Sequence, residues 1–170
     1  MTTTTKTFSV QAIPADVVAE LRIRDDALHD PEPVVDREGG SPLRCCLRAS
    51  RPGEQMLLVS HAPLRRWAAR TGAPAGAYVE TGPVFIHASP CAGPERDGWP
   101  EDYRGLRRVL RAYGANGRIR GGVVVPEGEM NPEALIDDVF ADPEVAFIHA
   151  RALTFGCFTF AIERAVETQV

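Results

Sequence analysis

Four cysteines (Cys45, Cys46, Cys91, Cys157) and two histidines set in apolar runs (His87, His149) are the residues of this chain best suited to chemistry. An imidazole titrates near neutrality and can move a proton or bind a metal. A thiolate is a nucleophile and a soft metal ligand. His87 closes the run Pro83-Val84-Phe85-Ile86-His87-Ala88-Ser89, and Cys91 follows four residues later in a proline-containing loop. His149 and Arg151 share one face of the run from Val145 to Arg151 with Val145 and Phe147. Cys157 follows Gly156 and begins the last apolar run. Alternation groups Cys45 with Leu43 and Leu47 in the core. It places Cys46 between Arg44 and Arg48 on an exposed face, where cations favour the thiolate. Each residue also has a plain structural reading. A buried Cys packs as a small hydrophobe, and a His or Arg at a strand end is solvated or ion-paired.

His87, Cys91, His149 and Cys157 are therefore the candidates for acid–base and nucleophilic work. Arg108, Arg111 and Arg151 are the candidates for holding a substrate anion, because the guanidinium fork matches carboxylate and phosphate. His87, Cys91, His149 and Cys157 can also compose a zinc site by ligand type. Nothing in their spacing demands one, there is no C-x-x-C pair, and no metal or other cofactor is assigned. A Walker loop, a dinucleotide fingerprint, G-x-S-x-G and H-E-x-x-H are all missing from the sequence. The expectation is a cofactor-independent lyase, isomerase or hydrolase acting on a small anionic metabolite, with secondary metabolism as a setting. Two alternatives stand beside it. One is a non-enzymatic interaction module that docks through the arginines between Arg104 and Arg120, or through a sheet edge that makes a homodimer. The other is a His/Cys metal protein.

A formal charge of −4 and a pI near 5.6 argue against a general nucleic-acid binder, whose affinity rests on phosphate neutralisation. No apolar stretch approaches the ~18–20 residues of a membrane span. The start of the chain, Met1 to Lys6, lacks the apolar segment of a signal peptide. No membrane partner, a cytoplasmic location and reduced thiols are the expectations that follow.

The elements that must position these residues are read from periodicity. With 170 residues the chain suits one domain, residues 1–170, with 1–5 a disordered tail. Strands are expected over 7–13, 43–49, 55–61, 83–89, 106–113, 118–125, 145–151 and 157–164. The second and third are expected to form a hairpin, as are the runs flanking Asn116-Gly117, a pair that tolerates positive φ. Short helices are expected over 15–24 and 132–141, with one turn near 64–69 and a brief strand at Val34-Val35. Asn131 and Pro132 open the second helix. Paired neighbouring strands and few helices predict an α+β fold. It is a single, mainly antiparallel sheet of about 7–8 strands with two or three short helices packed to one side.

The segments Gly82-Pro83-Val84-Phe85-Ile86-His87-Ala88, Leu110-Arg111-Ala112-Tyr113-Gly114 and Phe155-Gly156-Cys157-Phe158-Thr159-Phe160 follow the early Arg44-Cys45-Cys46-Leu47. In this order they resemble the domain of unknown function 1203 family over nearly the whole chain. That family's early motif often reads Cys-Arg-His-Cys-Leu, where this chain has Cys-Cys and no His. The resemblance implies a single-domain bacterial protein and no particular reaction.

Overall fold

A computed structural model describes residues 7–165, so the expected tail over 1–5 lies outside the described residues. Among the described residues, ten strands form two five-stranded sheets. In the first, β1 (Phe8–Gln11), β10 (Phe158–Arg164), β9 (Val145–Ala152), β7 (Arg108–Gly114) and β8 (Ile119–Val125) lie side by side in that order, all antiparallel. In the second the order is β2 (Glu32–Asp36), β5 (Glu54–His61), β6 (Gly82–His87), β3 (Pro42–Leu43) and β4 (Arg48–Ala49), and only β3 against β6 is parallel. Helices α1 (Ala15–Leu21), α2 (Pro63–Thr71) and α3 (Pro132–Phe140) complete an α+β fold with mainly antiparallel pairing.

The period of two that marks the strands also sorts their side chains. On one face of the first sheet, Leu110, Ala112, Ile148, Ala150, Phe160 and Ile162 pack with Ile136 and Phe140 of α3. Residues of the opposite parity, Tyr113 and Phe147, pack with Leu64 and Trp67 of α2. Leu43, Met56, Val59, Val84 and Ile86 of the second sheet pack with Val18 and Leu21 of α1. Phe158, at the start of β10, reaches into that second core and ties the two sheets. At the expected Asn116 turn, Gly117 has φ +74°, and a Cβ there would lie 2.8 Å from Ala75 Cβ, so the pair needs glycine on both counts.

The segment 43–49 differs from expectation. It is not one strand, and it does not pair with 54–61, whose neighbours are β2 and β6. Instead Pro42-Leu43 and Arg48-Ala49 form a miniature hairpin around the turn Arg44–Leu47. Leu47 sits at φ +56°, and its N–H donates back to Leu43 O. Long-range bonds override the alternating pattern here. The Arg44 N–H donates to Phe85 O, and its side chain, on a residue 4% exposed, donates to the distant Phe158 O as well as to the neighbouring Pro42 O. A side chain that alternation assigned to the solvent face thus staples one sheet to the other. Asn131 stands at the start of α3 without a side-chain capping bond, and Pro132 supplies the helical φ.

Candidate metal centre

The miniature hairpin decides the geometry of the site. On a strand Cys45 and Cys46 would point to opposite faces, but on this turn both are buried and both approach His87 at the end of β6. Cys45 Sγ lies 3.3 Å and Cys46 Sγ 3.7 Å from His87 Nδ1. Cys91, from the loop after β6, completes a group of four ligand atoms that all lie within 4.8 Å of one another. The backbone N–H of His87 also donates to Cys45 Sγ at 3.3 Å. Arg22 anchors the start of the loop by donating to the carbonyls of His87 and Ser89.

A second tier surrounds the ring. Glu54 Oε1 lies 2.8 Å from His87 Nε2 and 2.5 Å from Arg48 Nη2, while Arg48 Nη1 donates to Glu54 Oε2 at 2.9 Å. Where the ring donates to this carboxylate from Nε2, the lone pair on Nδ1 faces the thiols, and that is the tautomer that binds a metal. The paired guanidinium of Arg48 holds the Glu54 carboxyl well below the usual carboxylate range. The Cys45 thiol donates to Cys46, which lowers the Cys46 pKa, and the backbone N–H and guanidinium of Arg48 act in the same direction. That hydrogen bond, with burial, raises Cys45. Burial raises Cys91 as well.

Cys46, His87 and Cys91 open on a groove of about 1450 Å³, which Arg48, Glu54 and the loop from Ser89 to Pro100 also line. A ligand set that reaches such a groove is accessible to small molecules.

Of the residues singled out in the sequence, His87 and Cys91 are brought together here. His149, Arg151, Cys157, Arg108 and Arg111 belong to the first sheet or its connections and do not line the groove. His149 is buried among Tyr113, Phe147 and Phe158, and its Nδ1 has no hydrogen-bond partner. Arg151 and Arg111 both meet Glu80 Oε1, at 2.7 and 2.9 Å. Arg108 is buried over the Tyr103 ring. Cys157 Sγ donates weakly to Phe155 O at 3.7 Å. Of the other arginines in this span, Arg104 meets Glu133, Arg120 meets Glu144, and Arg118 lies over the Tyr78 ring. Cys45, Cys46, Arg48 and Glu54 are the partners that alternation hid. The signal for them was the adjacent Cys pair beside a His-x-x-x-Cys spacing, an inventory of soft ligands split by some forty residues of chain.

Burial pushes the His149 pKa well below its ordinary value, so this ring is neutral in the folded chain and titrates near ~6.5 once unfolded. A folded-state pKa below the unfolded one makes stability fall as pH drops through that region. His149→Leu removes an unpartnered buried nitrogen and is expected to stabilise the fold by about 1 kcal/mol, with a larger gain at pH 5 than at pH 8. Urea titrations at the two pH values measure this, and an equal change at both would contradict it.

No helix among the described residues is long and apolar enough to cross a membrane. No curated protein and no solved structure matches this chain. Residues 40–164, which include all four sulfur and imidazole donors of the centre, match the family described as protein of unknown function (DUF1203), and the chain belongs to that family.

Proposed function

We propose that this protein binds a soft divalent metal ion, zinc first, through Cys45, Cys46, His87 and Cys91. The observation that carries the reading is the convergence of three thiols and one imidazole nitrogen within 4.8 Å. A tetrahedral ion held at ~2.3 Å by sulfur and ~2.05 Å by nitrogen separates two such donors by about 3.5 Å. The separations of 3.3 and 3.7 Å from His87 Nδ1 bracket that value before any ion has drawn the ligands in. Zinc and its neighbours favour this thiolate and imidazole set over the oxygen ligands that magnesium and calcium require. The contact between Glu54 and His87 supplies the second tier that fixes a metal-binding imidazole.

Elemental analysis of full-length protein purified without a polyhistidine tag tests the proposal, with stoichiometric zinc expected. Because Cys45 and Cys91 must lose protons held more tightly than usual, affinity should fall steeply as pH drops. Glu54→Gln should weaken zinc binding by about 10–100-fold while the fold persists. A protein that binds no zinc, cobalt or cadmium at micromolar concentration would sink the reading.

A second reading rests on one contact. Arg48 Nη2 also stands 2.9 Å from His87 Nε2. If the ring accepts there, its proton sits on Nδ1 and donates to a thiolate. Cys46 would then be a nucleophile and His87 its acid–base partner in a cofactor-independent enzyme. Rapid alkylation of Cys46 in freshly purified protein, with no metal present and no effect of chelators, is the outcome that favours it.

A further inference from the structure

We infer that the fourth position of the metal centre is exchangeable, and that a small thiol entering from the groove displaces Cys91 from the ion. The inference rests on the metal reading above. Cys45, Cys46 and His87 sit on paired or tightly bonded backbone. The turn carrying the two cysteines is closed by Leu47 N–H to Leu43 O and tied to β6 by Arg44 N–H to Phe85 O, and His87 pairs with Met56 in the sheet. Cys91 differs in two respects. It lies in the loop from Pro90 to Gly98, which contains neither helix nor strand, and it is partly exposed where Cys45 and Cys46 are buried. It shares the groove with Cys46 and His87, so an entering ligand can reach it. Three ligands on rigid elements and a replaceable fourth is the pattern of zinc sites that exchange a ligand, whereas structural sites are closed on all sides.

The exchange balances without any redox step. The bond from the metal to Cys91 Sγ breaks, a bond from the metal to the incoming sulfur forms, and the proton of the incoming S–H ends on Cys91 Sγ. The charge of the site is unchanged. A thiol also arrives uncharged at its reacting atom, which matters because carboxylates outnumber guanidiniums seven to four along the groove. Two of those guanidiniums, Arg48 and Arg104, are already paired with Glu54 and Glu133. The surplus selects the rest of the ligand: an aminothiol should be preferred to a thiol that carries a carboxylate.

The test uses the full chain loaded with cobalt(II) and titrated with 2-aminoethanethiol or mercaptoacetate. A saturable shift of the sulfur-to-cobalt absorption is expected with cobalt retained on gel filtration, and mercaptoacetate should require about 10-fold higher concentration. During the titration Cys91 alone should become reactive to iodoacetamide, read by peptide mass. Cys91→Ala, with an unchanged circular dichroism spectrum, should keep cobalt and bind 2-aminoethanethiol more tightly, because no internal thiol competes. Cobalt that stays bound with an unchanged spectrum in both proteins overturns the exchange and leaves the metal reading standing. Cobalt stripped from the protein overturns it too, and an equal response to both thiols overturns the charge selection. A wild-type chain that takes up no cobalt overturns the metal reading and this inference together.

Discussion

His87→Ala protein is expected to purify without stoichiometric zinc, and Cys46→Ser is expected to do the same. Each change removes one of the donors that the rigid elements hold in place, and His87 also carries the link to Glu54 and Arg48. The loss should exceed the ~10–100-fold effect of a second-tier change such as Glu54→Gln, because a ligand bond itself disappears. Stability should follow. Any ion that binds the folded chain and not the unfolded one contributes about 2.7 kcal/mol at a hundredfold excess over its dissociation constant. Wild-type protein should therefore lose thermal stability when treated with a chelator, whereas His87→Ala protein should not respond. A wild-type melting temperature indifferent to chelator, together with equal zinc in mutant and wild type, is the result that contradicts the centre. Cys157→Ser, altering a thiol that does not line the groove, should leave zinc content unchanged and serves as the control.

Asp26→Ala is expected to cost about 3 kcal/mol, because it removes a buried carboxylate that pairs with Arg66 and accepts the Ala62 N–H. Asp26 follows α1, and its side chain is 6% exposed. It accepts the Ala62 N–H at 2.7 Å and Arg66 Nε at 3.0 Å, and it lies 3.2 Å from His61 Nδ1 and 3.5 Å from Arg65. One carboxylate thus joins the segment after α1 to the end of β5 and the first turn of α2. These hydrogen bonds hold its pKa well below the usual carboxylate range despite burial. The folded pKa lies below the unfolded one, near ~3.9, so the contribution is complete above that pH and fades as pH falls beneath it. A chain of this size should lose about 10 °C of melting temperature in the variant at pH 7. The difference between variant and wild type should shrink toward pH 3. A difference independent of pH would assign the loss to packing instead of the ion pairs. The proposed metal ligands are other residues, so zinc content should be unaffected wherever the variant is folded.

Much of the architecture was legible from local pattern. The runs that became β1, β6, β7, β8, β9 and β10 declare themselves because a half-buried strand must alternate. Helices α1 and α3 begin where proline and an amphipathic period coincide. Where the pattern misled, a non-local bond had prevailed. Leu43 to Ala49 alternates as a strand does, but Arg44 is drawn into the interior by the carbonyls of Phe158 and Phe85, and the backbone reverses at Leu47. Neither partner carbonyl can be inferred from the seven residues themselves. The division of ten strands into two sheets was hidden for the same reason, since pairing depends on which edges meet and not on any one run.

The site divides along the same line. The sequence by itself determined the stock of chemistry: a Cys pair, a His at a strand end, a Cys four residues on, and more arginines than one substrate needs. It grouped His87 and Cys91 with His149, Arg151 and Cys157 because all lie on or beside apolar strands. Only the tertiary structure decided that β6 belongs to one sheet and β9 to the other. That separation leaves His149 packed among aromatic rings and sets Arg151 against Glu80. Only the tertiary structure turned Cys45 and Cys46 to the same side. The physical reason is range. Alternation is a property of a few adjacent residues, whereas a set of donors within 4.8 Å is assembled by backbone from two strand systems and a loop. The contacts that close it connect residues some forty positions apart.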